Sequence, residues 1–157
     1  PPRDGPLPST PTTLTSGLQA YEVEITLDPA APATGTLNLD VLASADGREA
    51  TRLVFDLGQQ TVAVDLSQSS LSGEREGPAK LSAPYDAKAF GPMRRLRVFV
   101  DGSTVEVFIN DAAAYAIRSY PAQASSTLAR LSVAAANPAD PPIPANVRVW
   151  PLGAPTR

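Results

Sequence analysis

The stretch LRVFVDGSTVEVFIND, residues 96–111, decides the fold of this chain. Apolar and polar residues alternate on both sides of Asp101-Gly102, and this combination is the strongest short-range sign of a β-hairpin. With Asp101-Gly102 as a two-residue turn, the register places Arg97 opposite Glu106. The face that we expect to point into a core then consists of apolar side chains: Leu96, Val98, Val100, Val105 and Val107.

The other face of this hairpin combines charge with aromatic rings. Arg97 and Glu106 share it with Phe99 and Phe108. One interpretation is an ordinary cross-strand ion pair, which contributes about 0.2–1 kcal/mol at an exposed position. The other is a polar pair on an aromatic floor, which suits a sugar ring. Because Phe99 and Phe108 are expected to point outward, we also expect a loop or the surface of another domain to pack over them.

The same two-residue period continues along most of the chain and predicts about nine strands. Turn residues such as Asp46-Gly47 and Asn137-Pro138 separate them. The segments that alternate are 21–27, 35–44, 51–57, 61–67, 95–101, 104–110, 114–120, 128–135 and 145–152. No amphipathic helix of three turns is visible, and we expect 71–92 to be a long loop with one short strand. The predicted class is all-β, a two-sheet antiparallel β-sandwich of the jelly-roll or concanavalin-like kind.

The 157 residues suit one domain preceded by a short segment of different composition. Residues 1–16 are rich in Pro, Ser and Thr and predict an arm or linker, of a kind that often joins modules in secreted enzymes. An ordered arm laid along the domain is the alternative. Residues 17–157 are predicted to form the β-sandwich domain.

The composition excludes several classes of protein. There is no Cys and no His, so thiol nucleophiles, Cys/His zinc sites and Ser-His-Asp triads cannot form. The net charge of −3 makes nucleic acid a poor partner. No apolar run approaches the ~20 residues of a membrane span. The acidic loops could hold a structural calcium ion, but no cofactor is predicted.

The segment 96–121 also resembles a known family. It is similar to the C-terminal β-sandwich of glycoside hydrolase family 32, which includes invertases, inulinases and levanases, and to the fructan-binding carbohydrate-binding module family 66. The matching residues are Asp101, Ser103, Glu106, Phe108, Asn110, Asp111, Tyr120 and Pro121. Upstream, AYEVEITLDP resembles the opening strand of that domain, and TVAVDLSQSSLSG resembles its Asp-Arg-Ser-x-Ser-Gly segment, with Leu66 in place of the Arg.

This resemblance implies a domain without catalytic chemistry of its own. In the enzymes, a five-bladed propeller carries the catalytic motifs, and those motifs are absent here. The acidic pair Glu74 and Glu76 lies in a charged loop, and such loops are usually only solvated. We therefore expect a non-enzymatic module that recognises terminal fructose units of levan or inulin, within a secreted glycoside hydrolase. The alternative is a structural accessory domain that packs on the catalytic propeller.

Sugar binding calls for carboxylates, guanidinium groups and an aromatic edge, because adjacent hydroxyls both donate and accept hydrogen bonds. The residues predicted to bind a ligand are Asp65, Ser67, Arg97, Glu106, Arg118, Tyr120 and Trp150. Trp150 has a second interpretation, since a lone Trp often anchors a core. No membrane or nucleic-acid partner is predicted.

Overall fold

The structure is a computed structural model that describes residues 2–30 and 34–153. Within these ranges the chain forms twelve strands and one short helix. The strands are β1 (Arg3–Pro6), β2 (Thr12–Thr15), β3 (Ala20–Leu27), β4 (Thr36–Ala43), β5 (Thr51–Asp56), β6 (Thr61–Asp65), β7 (Lys80–Pro84), β8 (Arg95–Asp101), β9 (Thr104–Ile109), β10 (Ala113–Arg118), β11 (Leu128–Ala134) and β12 (Pro144–Pro151). The helix α1 (Ala87–Phe90) follows Asp86, whose side chain accepts hydrogen bonds from the first backbone N–H groups.

The strands form two antiparallel sheets of six strands each, which confirms the predicted β-sandwich. Sheet A has the order β1-β12-β3-β8-β9-β10, and sheet B has the order β2-β11-β4-β5-β6-β7. All nine segments with alternating sequence are strands. Their alternation is the direct cause, because it gives each strand one apolar face to bury against the other sheet.

The core lies between the two sheets and draws on both. Burial of each large apolar side chain stabilises the fold by about 1.5–3 kcal/mol. The largest fully buried side chains are Tyr21, Ile25, Leu27, Leu37, Leu39, Leu53, Phe55, Leu57, Met93, Leu96, Ile109 and Leu131. The face of the hairpin predicted to be apolar, from Leu96 to Val107, is buried as expected.

The register of that hairpin differs from the prediction. Asp101 pairs with Thr104, so the two-residue turn is Gly102-Ser103, and Glu106 lies opposite Phe99 rather than opposite Arg97. Arg97 lies opposite Phe108. The reason is the turn type: Gly102 has a φ of 57° and is the first turn residue, as a type II′ turn requires, whereas an Asp101-Gly102 turn would need a positive φ at Asp101.

Three of the strands lie in segments that do not alternate. Residues 3–6 pair with β12, and residues 12–15 pair with β11, so within the described residues the N-terminal segment is an ordered arm. The strand β7 lies inside the predicted loop 71–92 and pairs with β6. These strands are short or contain Pro and Gly, and their places are fixed by longer neighbouring strands.

Candidate functional site

A row of alternating charges crosses the outer face of sheet B. The register pairs Arg130 with Asp40, Asp40 with Arg52, Arg52 with Asp65, and Asp65 with Lys80. We call these five residues the charge row. Because their strands are adjacent in the order β11-β4-β5-β6-β7, the charges run positive, negative, positive, negative, positive across the sheet.

The tightest contact in the charge row joins Arg52 to Asp40. Arg52 Nε lies 2.7 Å from Asp40 Oδ1, and Nη2 lies 2.9 Å from Oδ2, so the guanidinium donates to both carboxylate oxygens. The Asp40 side chain is 10 % exposed, whereas that of Arg52 is 49 % exposed. A two-pronged contact of this kind orients both groups. Asp40 therefore positions Arg52, whose remaining nitrogen is free to contact a ligand.

Asp65 offers a second carboxylate to the solvent. Its Oδ1 accepts hydrogen bonds from the backbone N–H and the hydroxyl of Ser67, at 2.9 and 2.6 Å. Its Oδ2 accepts no hydrogen bond from the described residues and lies 4.0 Å from Lys80 Nζ. Burial raises the pKa of the Asp65 carboxyl, but the Ser67 hydrogen bonds and the two neighbouring cations outweigh burial, so the net pKa is lowered. Asp65 is therefore an ionised acceptor at neutral pH.

Four members of the charge row, all except Lys80, line a concave cavity of about 370 Å³. Pro11 and Gly47 contribute to its walls, together with Ser67 and Gln68. The Nε of Arg130 is buried and has no hydrogen-bond partner in the structure, and its Nη2 donates to Ser44 O at 2.9 Å. We call this cavity the sheet B pocket. The pocket combines the half-exposed Arg52 guanidinium with the open carboxylate oxygen of Asp65, an arrangement suited to neighbouring hydroxyl groups.

The outer face of sheet A carries a second set of charges that is already paired. Arg97 Nε lies 2.7 Å from Glu22 Oε1, and Arg95 Nη2 lies 2.6 Å from Glu24 Oε2. Asp111 contacts both arginines. Glu22 and Glu24 are each only 9 % exposed. Unlike the sheet B pocket, this network leaves few open donors and acceptors.

Aromatic rings accompany that network. Phe99 and Phe108 pack edge to face with centroids 5.6 Å apart, and the Arg97 guanidinium carbon lies 5.0 Å from the Phe99 centroid. Trp150 pairs in register with Glu22 and is 39 % exposed. The interpretation of Trp150 as a core anchor is therefore wrong, because its position in β12 points outward.

The seven predicted ligand residues lie in three separate places. Asp65 and Ser67 are in the sheet B pocket, and Arg97 and Trp150 are on the outer face of sheet A. Glu106 and Arg118 line a groove at the β10 edge of sheet A. Tyr120 follows that edge, and its hydroxyl donates to Glu76 Oε1 at 2.6 Å.

Of the five members of the charge row, sequence reasoning predicted only Asp65 and missed Asp40, Arg52, Lys80 and Arg130. Asp40, Arg52 and Arg130 are at outward positions of alternating strands, which was the only signal available, and Lys80 lies in the segment 71–92 that was expected to be mostly loop. Arg130 and Asp40 are far apart in the chain, and their pairing could not be predicted because local sequence does not determine the order of strands in a sheet.

Asn110, one of the residues that carry the family resemblance, has a structural role. Its Oδ1 accepts the backbone N–H groups of Arg94 and Arg95, both at 3.0 Å. Its Nδ2 donates to Tyr85 Oη at 2.9 Å, Phe90 O at 3.1 Å and Pro92 O at 2.9 Å. Asn110 thus ties the β9–β10 turn to the segment between α1 and β8, with a φ of 53° that Asn tolerates well.

Neither a metal cluster nor a membrane-spanning helix occurs in the part of the chain that the structure describes. No three His, Cys, Asp or Glu side chains there converge to hold an ion. No helix there is long and apolar enough to cross a membrane.

The comparison with protein families decides the affiliation. The model described as "Glycosyl hydrolases family 32 C terminal" matches residues 4–151. The chain belongs to this family of C-terminal domains. No curated protein sequence matches the chain.

Several solved enzymes share the fold of this family 32 C-terminal domain. The exo-inulinase of Aspergillus awamori aligns with a TM-score of 0.76 and 22 % identity, over 98 % of this chain and 29 % of that enzyme. The β-fructofuranosidase of Aspergillus kawachii gives 0.65 and 15 %, over 94 % and 26 %. The sucrose-6-phosphate hydrolase of Lactobacillus gasseri gives 0.58 and 18 %, over 93 % and 27 %. The chain therefore spans less than a third of each of these enzymes.

One departure of this family 32 C-terminal domain from the expected pattern is explained by packing. Leu66 stands where the resembling segment has an Arg, and it is 2 % exposed within the hydrophobic core. Its apolar side chain stabilises the end of β6 and presents no group to a ligand. The polar groups beside it are those of Asp65 and Ser67.

Proposed function

We propose that this domain is a non-catalytic accessory module of a fructan-acting glycoside hydrolase, and that it binds terminal fructose units in the sheet B pocket. The observation that carries the proposal is the sheet B pocket, where the half-exposed Arg52 guanidinium and the open carboxylate oxygen of Asp65 line one concave surface. A sugar with vicinal hydroxyls can accept from Arg52 or Arg130 while it donates to Asp65. The proposal places the parent enzyme outside the cell, where polymeric levan and inulin are met.

The expected affinity is modest. A single fructose unit has about a dozen heavy atoms, which limits its contacts and points to dissociation constants in about the millimolar range. Such a module still raises the local concentration of polymer around a tethered catalytic domain, since one chain offers many ends or repeated encounters.

The test is electrophoresis of the 157-residue chain through gels that contain levan or inulin. We expect retardation that free fructose reverses. Asp65→Ala should weaken retention about tenfold, because it removes a charged hydrogen-bond acceptor. Glu74→Ala, which removes an exposed carboxylate from a loop outside the pocket, is the matched control and should be retained like the parent chain.

Two results would contradict this site. Unchanged retention of Asp65→Ala would exclude the sheet B pocket. Loss of retention in Arg118→Ala, with Asp65→Ala unaffected, would assign the sugar to the groove at the β10 edge instead. Circular dichroism of each variant separates loss of binding from loss of fold.

A second candidate function is structural docking on a catalytic domain, and the outer face of sheet A favours it. There both arginines of the network are paired with acidic side chains, while Trp150 and Phe99 leave apolar area exposed, as at surfaces that become covered. If docking is the sole function, the isolated chain shows no retardation on any fructan. Trp150→Ala then weakens its association with a separately produced catalytic propeller.

A further inference from the structure

The four edge strands of the sandwich are not equally protected against pairing with another chain. Exposed edges are normally blocked by Pro, Gly kinks, bulges, charges or very short length. The edge strand β1 contains Gly5 and Pro6, β2 has four residues beside a bulge in β11, and β7 begins with Lys80 and ends with Pro84. In contrast, β10 has six residues of sequence AAYAIR, with no Pro or Gly and no charge before Arg118. It is the least protected edge in the described chain.

The backbone of β10 has groups directed away from its own sheet. Ser119 N–H donates to Ser103 O at 2.8 Å, so residue 119 makes its hydrogen bond toward β9. In an antiparallel pair such residues alternate with residues whose N–H and C=O groups point the opposite way. The alternation therefore directs the backbone groups of Ala114, Ala116 and Arg118 to the open edge.

An apolar cleft lies beside this edge, between the two sheets. It has a volume of about 210 Å³ and is lined by side chains of β6, β7, β9 and β10, among them Val64, Leu81, Val107 and Ile117. Leu81 is 36 % exposed. Tyr115 bridges the cleft, since its hydroxyl donates to Pro84 O at 3.2 Å. The edges β7 and β10 thus form one side of the molecule, with an apolar strip between them.

Two charges on this side, those of Glu106 and Arg118, make no ion pair in the described chain and complement each other in a symmetric pairing. Glu106 has no hydrogen bond or ion pair among the described residues, and Arg118 contacts only Ser103 Oγ, at 3.3 Å. Ala116, which is small, lies directly opposite Glu106 and on the same outer face as Arg118. A guanidinium placed opposite Ala116 from an added strand would lie about 10 Å from Glu106 in backbone distance, within the combined reach of the two side chains.

We propose that the β10 edge pairs with the β10 edge of a second copy of this chain, around a two-fold axis beside Ile117. Arg118 then lies opposite Ala116 of the partner subunit and reaches Glu106 of the partner subunit across it. The two-fold makes the same contact twice, sheet A continues into the partner, and the apolar cleft beside β10 is covered. The occupant is a second copy because the unpaired acid and base, on one edge, match each other under that symmetry. This inference is independent of sugar binding, which uses the opposite sheet.

The test is sedimentation velocity of the 157-residue chain at about 100 µM, because one strand edge with a small cleft belongs to the weak class of interfaces. We expect a dimer. Glu106→Arg and Arg118→Glu should each raise the dissociation constant at least tenfold, since each creates like charges across the axis. The double variant should return to within about threefold of the parent chain. Lys88→Glu, a charge reversal on α1, is the matched control and should dimerise normally.

Ala116→Pro tests the backbone contribution separately. Proline has no backbone N–H, and the N–H of residue 116 makes no hydrogen bond within the domain's own sheet. The monomer should therefore keep its circular dichroism spectrum, while the dimer is lost. A parent chain that stays monomeric at this concentration would overturn the proposal. A dimer that is indifferent to both charge reversals and to Ala116→Pro would overturn it as well, because another surface would then be responsible.

Discussion

Glu49 is a fully buried carboxylate that faces no cation at bonding distance in the described residues. Its oxygens accept hydrogen bonds from the backbone N–H groups of Leu71, Ala122 and Gln123 at 2.8, 2.7 and 3.1 Å, and from the Ser126 hydroxyl at 2.6 Å. Burial raises the pKa of Glu49, but these four hydrogen bonds outweigh burial, and the net pKa is lowered. One side chain therefore fastens the loop after β6 and the loop after β10 to the β4–β5 connection.

This arrangement predicts an acid-sensitive contribution to stability. Because the pKa of Glu49 is lower in the folded chain than in the unfolded chain, its contribution is fully present above the unfolded value of about 4.5 and is lost as the pH falls through the folded value. Glu49→Gln should lower the free energy of unfolding by about 2–3 kcal/mol near neutral pH. It should also reduce the loss of stability on acidification.

Urea unfolding at about pH 7 and about pH 3 measures both effects. Glu74→Gln, an exposed carboxamide substitution in a loop, serves as the control and should change neither. An equal loss of stability for the parent chain and Glu49→Gln over this pH interval would show that Glu49 does not titrate in that range.

At the scale of elements, the β8–β9 hairpin shows that the sequence pattern determines which face of a strand is buried but not the register of the strand pair. The alternation in β8 and β9 fixes which side chains face the core, and that prediction is confirmed. The register depends on the turn, and Gly102 occupies the first turn position rather than the second. A shift of two residues keeps every side chain on its face, so the hydrophobic pattern could not detect it.

The turn itself is open to a direct test. Gly102 has a φ of 57° and free space for a Cβ, so Gly102→Ala should cost about 1 kcal/mol of unfolding free energy through backbone strain alone. Gly58→Ala is the control, because Gly58 has no positive φ and its added Cβ would meet Asp56 at an ordinary 3.5 Å. The midpoints of urea unfolding measure the difference. Equal midpoints for the two variants would mean that the turn adapts to a side chain.

Strands with an alternating apolar pattern were predicted from the sequence, whereas strands without one were missed. In β3, Tyr21, Val23, Ile25 and Leu27 alternate with polar residues, and the strand is evident from sequence. In β1, the sequence RDGP has no apolar face, and its pairing with β12 depends on the neighbouring strand. Asp65 and Ser67 were recognised from a family-like segment, whereas Arg130 reaches the pocket only through the β11–β4 pairing, which brings together residues about ninety positions apart.

At the scale of the whole molecule, different surfaces are available for different contacts. The outer face of sheet B carries the sugar-binding pocket that we propose, the outer face of sheet A carries the neutralised network with Trp150, and the β10 edge carries unpaired backbone. The three surfaces lie on different sides of the sandwich. Sugar, a catalytic domain and a second copy could therefore be bound together.

The whole molecule is also expected to be catalytically inert. Glycoside hydrolysis needs a proton donor with a raised pKa beside a second carboxylate. In the sheet B pocket, Asp40 is engaged by Arg52, and the pKa of Asp65 is lowered rather than raised. We expect no release of fructose or glucose from sucrose, inulin or levan by the 157-residue chain in a reducing-sugar assay. Turnover that persists after repurification and disappears in Asp65→Ala would contradict this expectation.

The alternation of charges in the charge row has a consequence for the setting in which the domain can work. Two guanidinium groups and two carboxylates balance one another within the row, which leaves the single charge of Lys80, and a fructan carries no charge. Added electrolyte therefore has little long-range attraction to screen. The fructan binding that we propose should therefore be about equally strong at low and at high salt concentration.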